Sequence, residues 1–184
     1  NKPSQEGVFK HYKSIAEAVA LPQVLYNVPG RTGTNMTADT TARLAEFDNI
    51  VAIKEASGSL TQVSEILAKA GDKIDVISGD DFLTFPMMAC GAKGVISVSA
   101  NVIPDRVKAM VQATMDGDYT TARKLHLALL EFHTAMFIES NPVPVKTSLA
   151  LLGMIDAKVR LPLVAMQPDT QEKLQGILRK YQVI

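Results

Sequence analysis

The chain has 184 residues, enough for one domain of ordinary size or a modest domain with a small one beside it. Hydrophobic residues make up 47% and charged residues 21%, the mix of a folded globular chain, which excludes a disordered one. Nineteen basic residues balance nineteen acidic ones, so the basic footprint of a nucleic-acid binder is missing, and a single cysteine, Cys90, excludes a disulfide framework or a multi-cysteine zinc site.

One thiol points to a reducing compartment, so the expected location is cytoplasmic. No apolar run reaches the ~20 residues that cross a bilayer, and the opening NKPSQEGVFKHYK carries no signal-peptide core. With no starting Met, the chain reads as though cut from something longer.

The first two-thirds alternate amphipathic stretches with short apolar runs. His11–Val19 has helical spacing and precedes a strand at Pro22–Val28. Ala38–Phe47 is a helix capped by Thr37 and leads to a strand at Ile50–Glu55. Leu60–Ala70 follows Ser59 as N-cap and stops at Gly71, where a left-handed residue is expected. A strand at Ile74–Ser78 follows, then a helix at Phe82–Cys90 that places Cys90 in the core, then a strand at Gly94–Ser99. The strands are rich in Val and Ile and bounded by Gly, Pro, Asn or Asp. This alternation predicts βα units and a parallel sheet.

After Asn101 no further strand is predicted. Helices are expected at Pro104–Met115, at Tyr119–Phe137 behind Asp118, at Pro142–Leu152 with Gly153 at its end, and at Thr170–Tyr181 behind Asp169. The organisation is thus α/β over residues 1–103 and a helical subdomain over 104–184. Four βα units equal half of an eight-stranded barrel, or a small doubly wound sheet; periodicity alone does not choose.

Both architectures place their sites at the C-terminal ends of the strands. Alternation puts Ala52 and Lys54 on one face of IVAIKE and Val51, Ile53 and Glu55 on the other. A lysine among small and apolar residues loses hydration, which favours the neutral amine, and a neutral amine can form a Schiff base with a ketone. A Lys-Glu pair at a strand end also reads simply as the exit into solvent. Tyr26 reads as a catalytic residue or as a core ring with its hydroxyl tied to a partner. Arg31, in a Gly- and Pro-bounded loop, can grip a carboxylate or be solvated. Asp80 and Asp81 open a helix, and capping explains them as well as acid chemistry or Mg²⁺ binding does. His11, His126 and His133 lie far apart on predicted helices, so no metal site is expected, and the Gly30/Gly33 spacing is not a dinucleotide fingerprint, so no cofactor is expected either.

YNVPGRTG, IKEASGS, SGDD and GAKGVISVSANVIP, in that order, together with NPVPVK at Asn141–Lys146, closely resemble the dihydrodipicolinate synthase (4-hydroxy-tetrahydrodipicolinate synthase) family. That family belongs with N-acetylneuraminate lyase among the pyruvate-dependent class I aldolases, and the resemblance covers essentially the whole chain. It implies the second half of a (β/α)8 TIM barrel followed by a helical subdomain. It implies a lyase that condenses pyruvate with L-aspartate 4-semialdehyde in lysine and diaminopimelate biosynthesis. By resemblance Lys54 matches the Schiff-base lysine and Tyr26 the proton-relay tyrosine. Arg31 matches the carboxylate-binding arginine, Ile96 a position whose backbone lies beside pyruvate, and Gly79 a backbone contact near the aldehyde.

Arg31 with Gly79-Asp80-Asp81 favours the synthase over the sialic-acid lyase. The rival readings are another pyruvate aldolase, such as the sialic-acid lyase or a keto-deoxy-sugar acid aldolase, and an inactive fragment serving as an assembly module. The resemblance further implies small-molecule substrates, no nucleic-acid or membrane partner, and a homotetramer when intact. Four strands cut from a barrel leave unpaired edges, so the half-barrel is expected to need a complementing chain or self-association.

Overall fold

A computed structural model describes residues 2–184, which form two compact units, the first closing at Ile96 and the second spanning Ser97–Ile184. In the first, α1 (Gln5–Ala18) leads into β1 (Gln23–Asn27) and a short helix α2 (Pro29–Thr32), followed by α3 (Ala38–Leu44) and β2 (Ile50–Glu55). Then come α4 (Leu60–Ala70), β3 (Asp75–Ser78), a 3₁₀ turn at Asp81–Leu83 and α5 (Thr84–Ala89). α1 starts earlier than its apolar spacing indicates because the Ser4 hydroxyl accepts the Gly7 amide, capping a polar first turn. α4 begins and ends where Ser59 and Gly71 place it. Gly71 is nevertheless right-handed (φ −69°) rather than left-handed. Space dictates the glycine, since a Cβ there would lie 2.5 Å from the Leu67 carbonyl oxygen.

The strands form one parallel sheet in the order β1-β2-β3. The fourth expected strand, Gly94–Ser99, shrinks to a single bridge between Ser78 and Val95. Three hydrogen bonds still run along the outer edge of β3, from Lys93 N to Val76 O, Ser78 N to Gly94 O and Ile96 N to Ser78 O. The backbone then turns into a 3₁₀ segment at Ser99–Asn101, so the ladder never lengthens. Cys90 is exposed rather than core, because it caps the end of α5, two residues past the buried pair Met87 and Met88.

Register sorts the sheet into two unlike faces. On the face covered by α4, Leu25, Ile53 and Val76 pair side by side and are buried. Ile66 and Val63 of α4, Leu44 of α3 and Met87 of α5 are buried as well and belong to the apolar core. The next row on that face is polar: Asn27, Glu55 and Ser78, all buried. On the other face Val24 and Tyr26 are exposed, Lys54 is half-buried, and Tyr26, Lys54 and Ile77 form the last row.

In the second unit α6 (Pro104–Met115) packs on α7 (Tyr119–Ala135), and α9 (Pro168–Lys180) packs on α7 and on α8 (Val143–Leu151). Its core holds Met110, Phe132, Met136, Leu174 and Leu178, all fully buried. The Phe132 and Tyr181 rings meet edge-on with centroids 5.3 Å apart. His133 is also fully buried, with Nδ1 2.8 Å from the Ser99 hydroxyl. No helix among the described residues is long and apolar enough to cross a membrane.

Candidate active site

The sheet brings Tyr26, Lys54 and Gly79 together at the C-terminal ends of its strands. Tyr26 pairs with Lys54 across β1 and β2, so both side chains leave the same face one strand spacing apart. The Lys54 Nζ stands 4.3 Å from the centroid of the Tyr26 ring, which is 40% exposed. Gly79 follows β3 and lies flat against the lysine stem: a Cβ at this position would sit 3.1 Å from both Cγ and Cε of Lys54 and 2.8 Å from the Ala56 Cβ. The Gly79 amide donates to the Glu55 carbonyl at 2.8 Å, fixing this close approach. Glycine is required here for proximity, not for an unusual backbone angle.

Arg31 lies immediately beyond β1, on α2, the helix that the sequence pattern did not reveal. Its amide donates to the Val28 carbonyl at 2.9 Å, and Gly33 closes the helix in the left-handed conformation (φ +68°). The Arg31 side chain is exposed. Ile96 sits on the far edge of β3, 45% exposed, with its backbone anchored to Ser78. A pocket of about 510 Å³ opens on the flank of Tyr26 toward α1, with His11, Tyr12, Thr32 and Thr34 in its wall. Lys54 does not line it, so this pocket adjoins the Tyr26–Lys54 pair without containing the amine.

The two aspartates after Gly79 differ in role. Asp80 Oδ1 accepts the Phe82 amide at 2.9 Å and so caps the 3₁₀ turn, while Asp81 is buried. Burial pushes the Asp80 carboxyl above its ordinary range; the Phe82 amide opposes this and the Asp81 charge adds to it.

Beneath the pair lies an arrangement that sequence reasoning missed. Glu55 is only 1% exposed, yet its carboxylate accepts three N–H groups: Asn27 Nδ2 at 2.9 Å, Gln62 Nε2 at 3.1 Å and the Ser57 amide at 2.6 Å. Asn27 Oδ1 accepts the Met36 amide at 2.9 Å, and its Nδ2 also donates to Asn35 Oδ1 at 2.8 Å. Asn35 Nδ2 donates to Gln62 Oε1 at 2.7 Å, closing the ring of side chains. The available signal was a carboxylate on the same strand face as Ile53, where a core residue belongs.

The chain is similar to known proteins along its whole length. Residues 1–181 match the model of the dihydrodipicolinate synthetase family. Over all 184 residues the chain is 63% identical to the 4-hydroxy-tetrahydrodipicolinate synthase of Syntrophotalea carbinolica and 62% identical to that of Geobacter sulfurreducens. The chain spans 63% of the length of each of these relatives. Among solved structures it superposes in full on 63% of the dihydrodipicolinate synthase of Aquifex aeolicus, with a TM-score of 0.97 at 46% identity. It also superposes in full on 63% of the chloride-inhibited dihydrodipicolinate synthase of Acinetobacter baumannii complexed with pyruvate, with a TM-score of 0.96 at 42% identity. The sheet and helices are therefore part of a (β/α)8 TIM barrel with its C-terminal helices, and the chain belongs to the dihydrodipicolinate synthetase family.

Proposed function

We propose that this protein is a 4-hydroxy-tetrahydrodipicolinate synthase, a lyase that joins pyruvate to L-aspartate 4-semialdehyde through a Schiff base on Lys54. The observation that carries the reading is the Lys54 amine held 4.3 Å over the Tyr26 ring at the C-terminal end of a parallel sheet. The relatives named above carry the synthase name, and one solved relative is a complex with pyruvate.

The chemistry follows from these groups. The unprotonated Lys54 amine adds to the ketone carbon of pyruvate, and the resulting hydroxyl leaves as water once protonated, giving an iminium. The iminium withdraws electrons, so the adjacent methyl loses a proton and becomes an enamine. The enamine carbon attacks the aldehyde of the second substrate, whose oxygen takes up a proton. The amine of that substrate then adds to the iminium carbon and expels Lys54, closing the ring. Tyr26, beside the amine, moves protons in these steps. Arg31 orients the second substrate by its carboxylate. Gly79 leaves room for Lys54 and a backbone contact near the aldehyde, and the Ile96 backbone lies beside pyruvate.

Reduction with borohydride in the presence of pyruvate tests the first step, with peptide mass mapping to locate the adduct. A single pyruvate adduct on Lys54 is expected, and none in Lys54→Ala; a protein without the adduct ends the reading. Offering L-aspartate 4-semialdehyde against N-acetylmannosamine separates the synthase from the sialic-acid lyase. The same family reading carries a cytoplasmic homotetramer, which native mass measurement checks.

A further inference from the structure

We propose that Glu55, Asn27 and Gln62 form a positioning device for the reacting pair, locking the ends of β1 and β2 so that Lys54 and Tyr26 meet; this rests on the function proposed above. Asn27 directly follows Tyr26, and Glu55 directly follows Lys54, and the two pair across the strands as Tyr26 and Lys54 do. The Asn27–Glu55 bond of 2.9 Å therefore ties the two residues adjacent to the reacting side chains, on the opposite face of the sheet. Gln62 and Asn35 brace that tie against α4 and the segment after α2. Past this row the ladder ends, and the backbones are held by Ala56 N to Asn27 O and Gly79 N to Glu55 O.

Stability alone does not account for this choice of residues. A buried charge network is commonly no more stabilising than a well-packed apolar row, and the row beneath it, Leu25, Ile53 and Val76, shows that the same helices accept one. What the polar row adds is direction. Each bond has a donor, an acceptor and a fixed angle, so the strand ends have one register and one separation.

The test is timed borohydride trapping in the protein with saturating pyruvate, which reads two quantities. The final amplitude counts folded, reactive sites; the rate constant reports how well each site is set. In Glu55→Gln the new amide turns its NH₂ toward either the Ser57 amide or the Asn27 and Gln62 amides, so one donor faces another. The expected rate constant falls by about tenfold, since misplacement by an ångström costs up to about a hundredfold.

A wild-type rate constant in Glu55→Gln, with only the amplitude lowered, overturns the proposal. Should Glu55→Gln give no folded protein, Gln62→Leu takes its place. It removes the bracing donor and leaves the strand pair, and a slower rate constant supports the proposal while an unchanged one overturns it. Wild-type protein that forms no adduct refutes the function itself, a result separate from all of these.

Discussion

Adding a single methyl at position 79 probes the site where it is tightest. In Gly79→Ala the new carbon would lie 2.8 Å from the Ala56 Cβ and 3.1 Å from Cγ and Cε of Lys54. Carbon atoms rest at roughly 3.5–4.0 Å, so the contact is short by about 1 Å at Ala56 and about half an ångström at Lys54. Ala56 has no side chain to fold away, and its amide is tied to the Asn27 carbonyl at 2.9 Å. The lysine stem can swing, so relief comes partly from moving Lys54 and partly from prising β3 away from β2. The first motion slows adduct formation with pyruvate by about tenfold to a hundredfold. The second lowers stability by about 1–3 kcal/mol, the usual range for overpacking. Circular-dichroism urea titration measures the loss, and timed borohydride trapping measures the rate. Adding Ala56→Gly removes the 2.8 Å clash but not the 3.1 Å ones, so stability should recover while the rate stays low. A Gly79→Ala protein that unfolds and reacts as wild type does would refute the close packing of Gly79 on Lys54.

Tyr26→Phe keeps the ring beneath the amine but removes its hydroxyl. Turnover with L-aspartate 4-semialdehyde should fall by about 10²–10⁴-fold while a Lys54 adduct can still be trapped, and unchanged turnover would exclude proton relay by this phenol. Phe132→Ala empties a fully buried ring site against Tyr181 and should cost about 3–5 kcal/mol in urea unfolding of the second unit. Asp80→Asn addresses the raised carboxyl pKa. Because the fold favours the protonated acid, the wild type is penalised for ionisation at neutral pH and loses that penalty as pH falls through the folded-state value. The variant should therefore gain in thermal stability relative to wild type near pH 7, and its advantage should shrink on acidification. An advantage that grows at low pH would contradict the burial of this group.

Much of the element order was legible because local chemistry announces it. Ser59 caps α4 and Pro104 opens α6, and both helices have the bounds that these residues mark. Lys54 and Tyr26 could be placed late in their strands from the residues that bound them, and alternation gave the face. The fourth strand misled because Gly94–Ser99 has strand composition, whereas ladder formation depends on how far the backbone follows β3 before it turns. Cys90 misled because an apolar helix pattern does not show that the helix stops one residue earlier, at Ala89. The Glu55 network was hidden for a deeper reason. A glutamate after a lysine at a strand end looks like an exit into solvent, and only the arrival of α4 with Gln62, and of Asn35 and Met36 from the segment after α2, makes that position dry.

Lys54 and Glu55 are consecutive, yet they serve opposite sides of the sheet, the amine toward Tyr26 and the carboxylate toward α4. Inserting or deleting one residue within β2 would exchange them, driving an ammonium into the oily layer under the helices and stranding the acid beside the phenol. Length variation in this family member is thus tolerable in the turns but not between Ile50 and Glu55. A transplant of the chemistry to another scaffold would have to carry both neighbouring dipeptides, Tyr26-Asn27 and Lys54-Glu55, as a single unit.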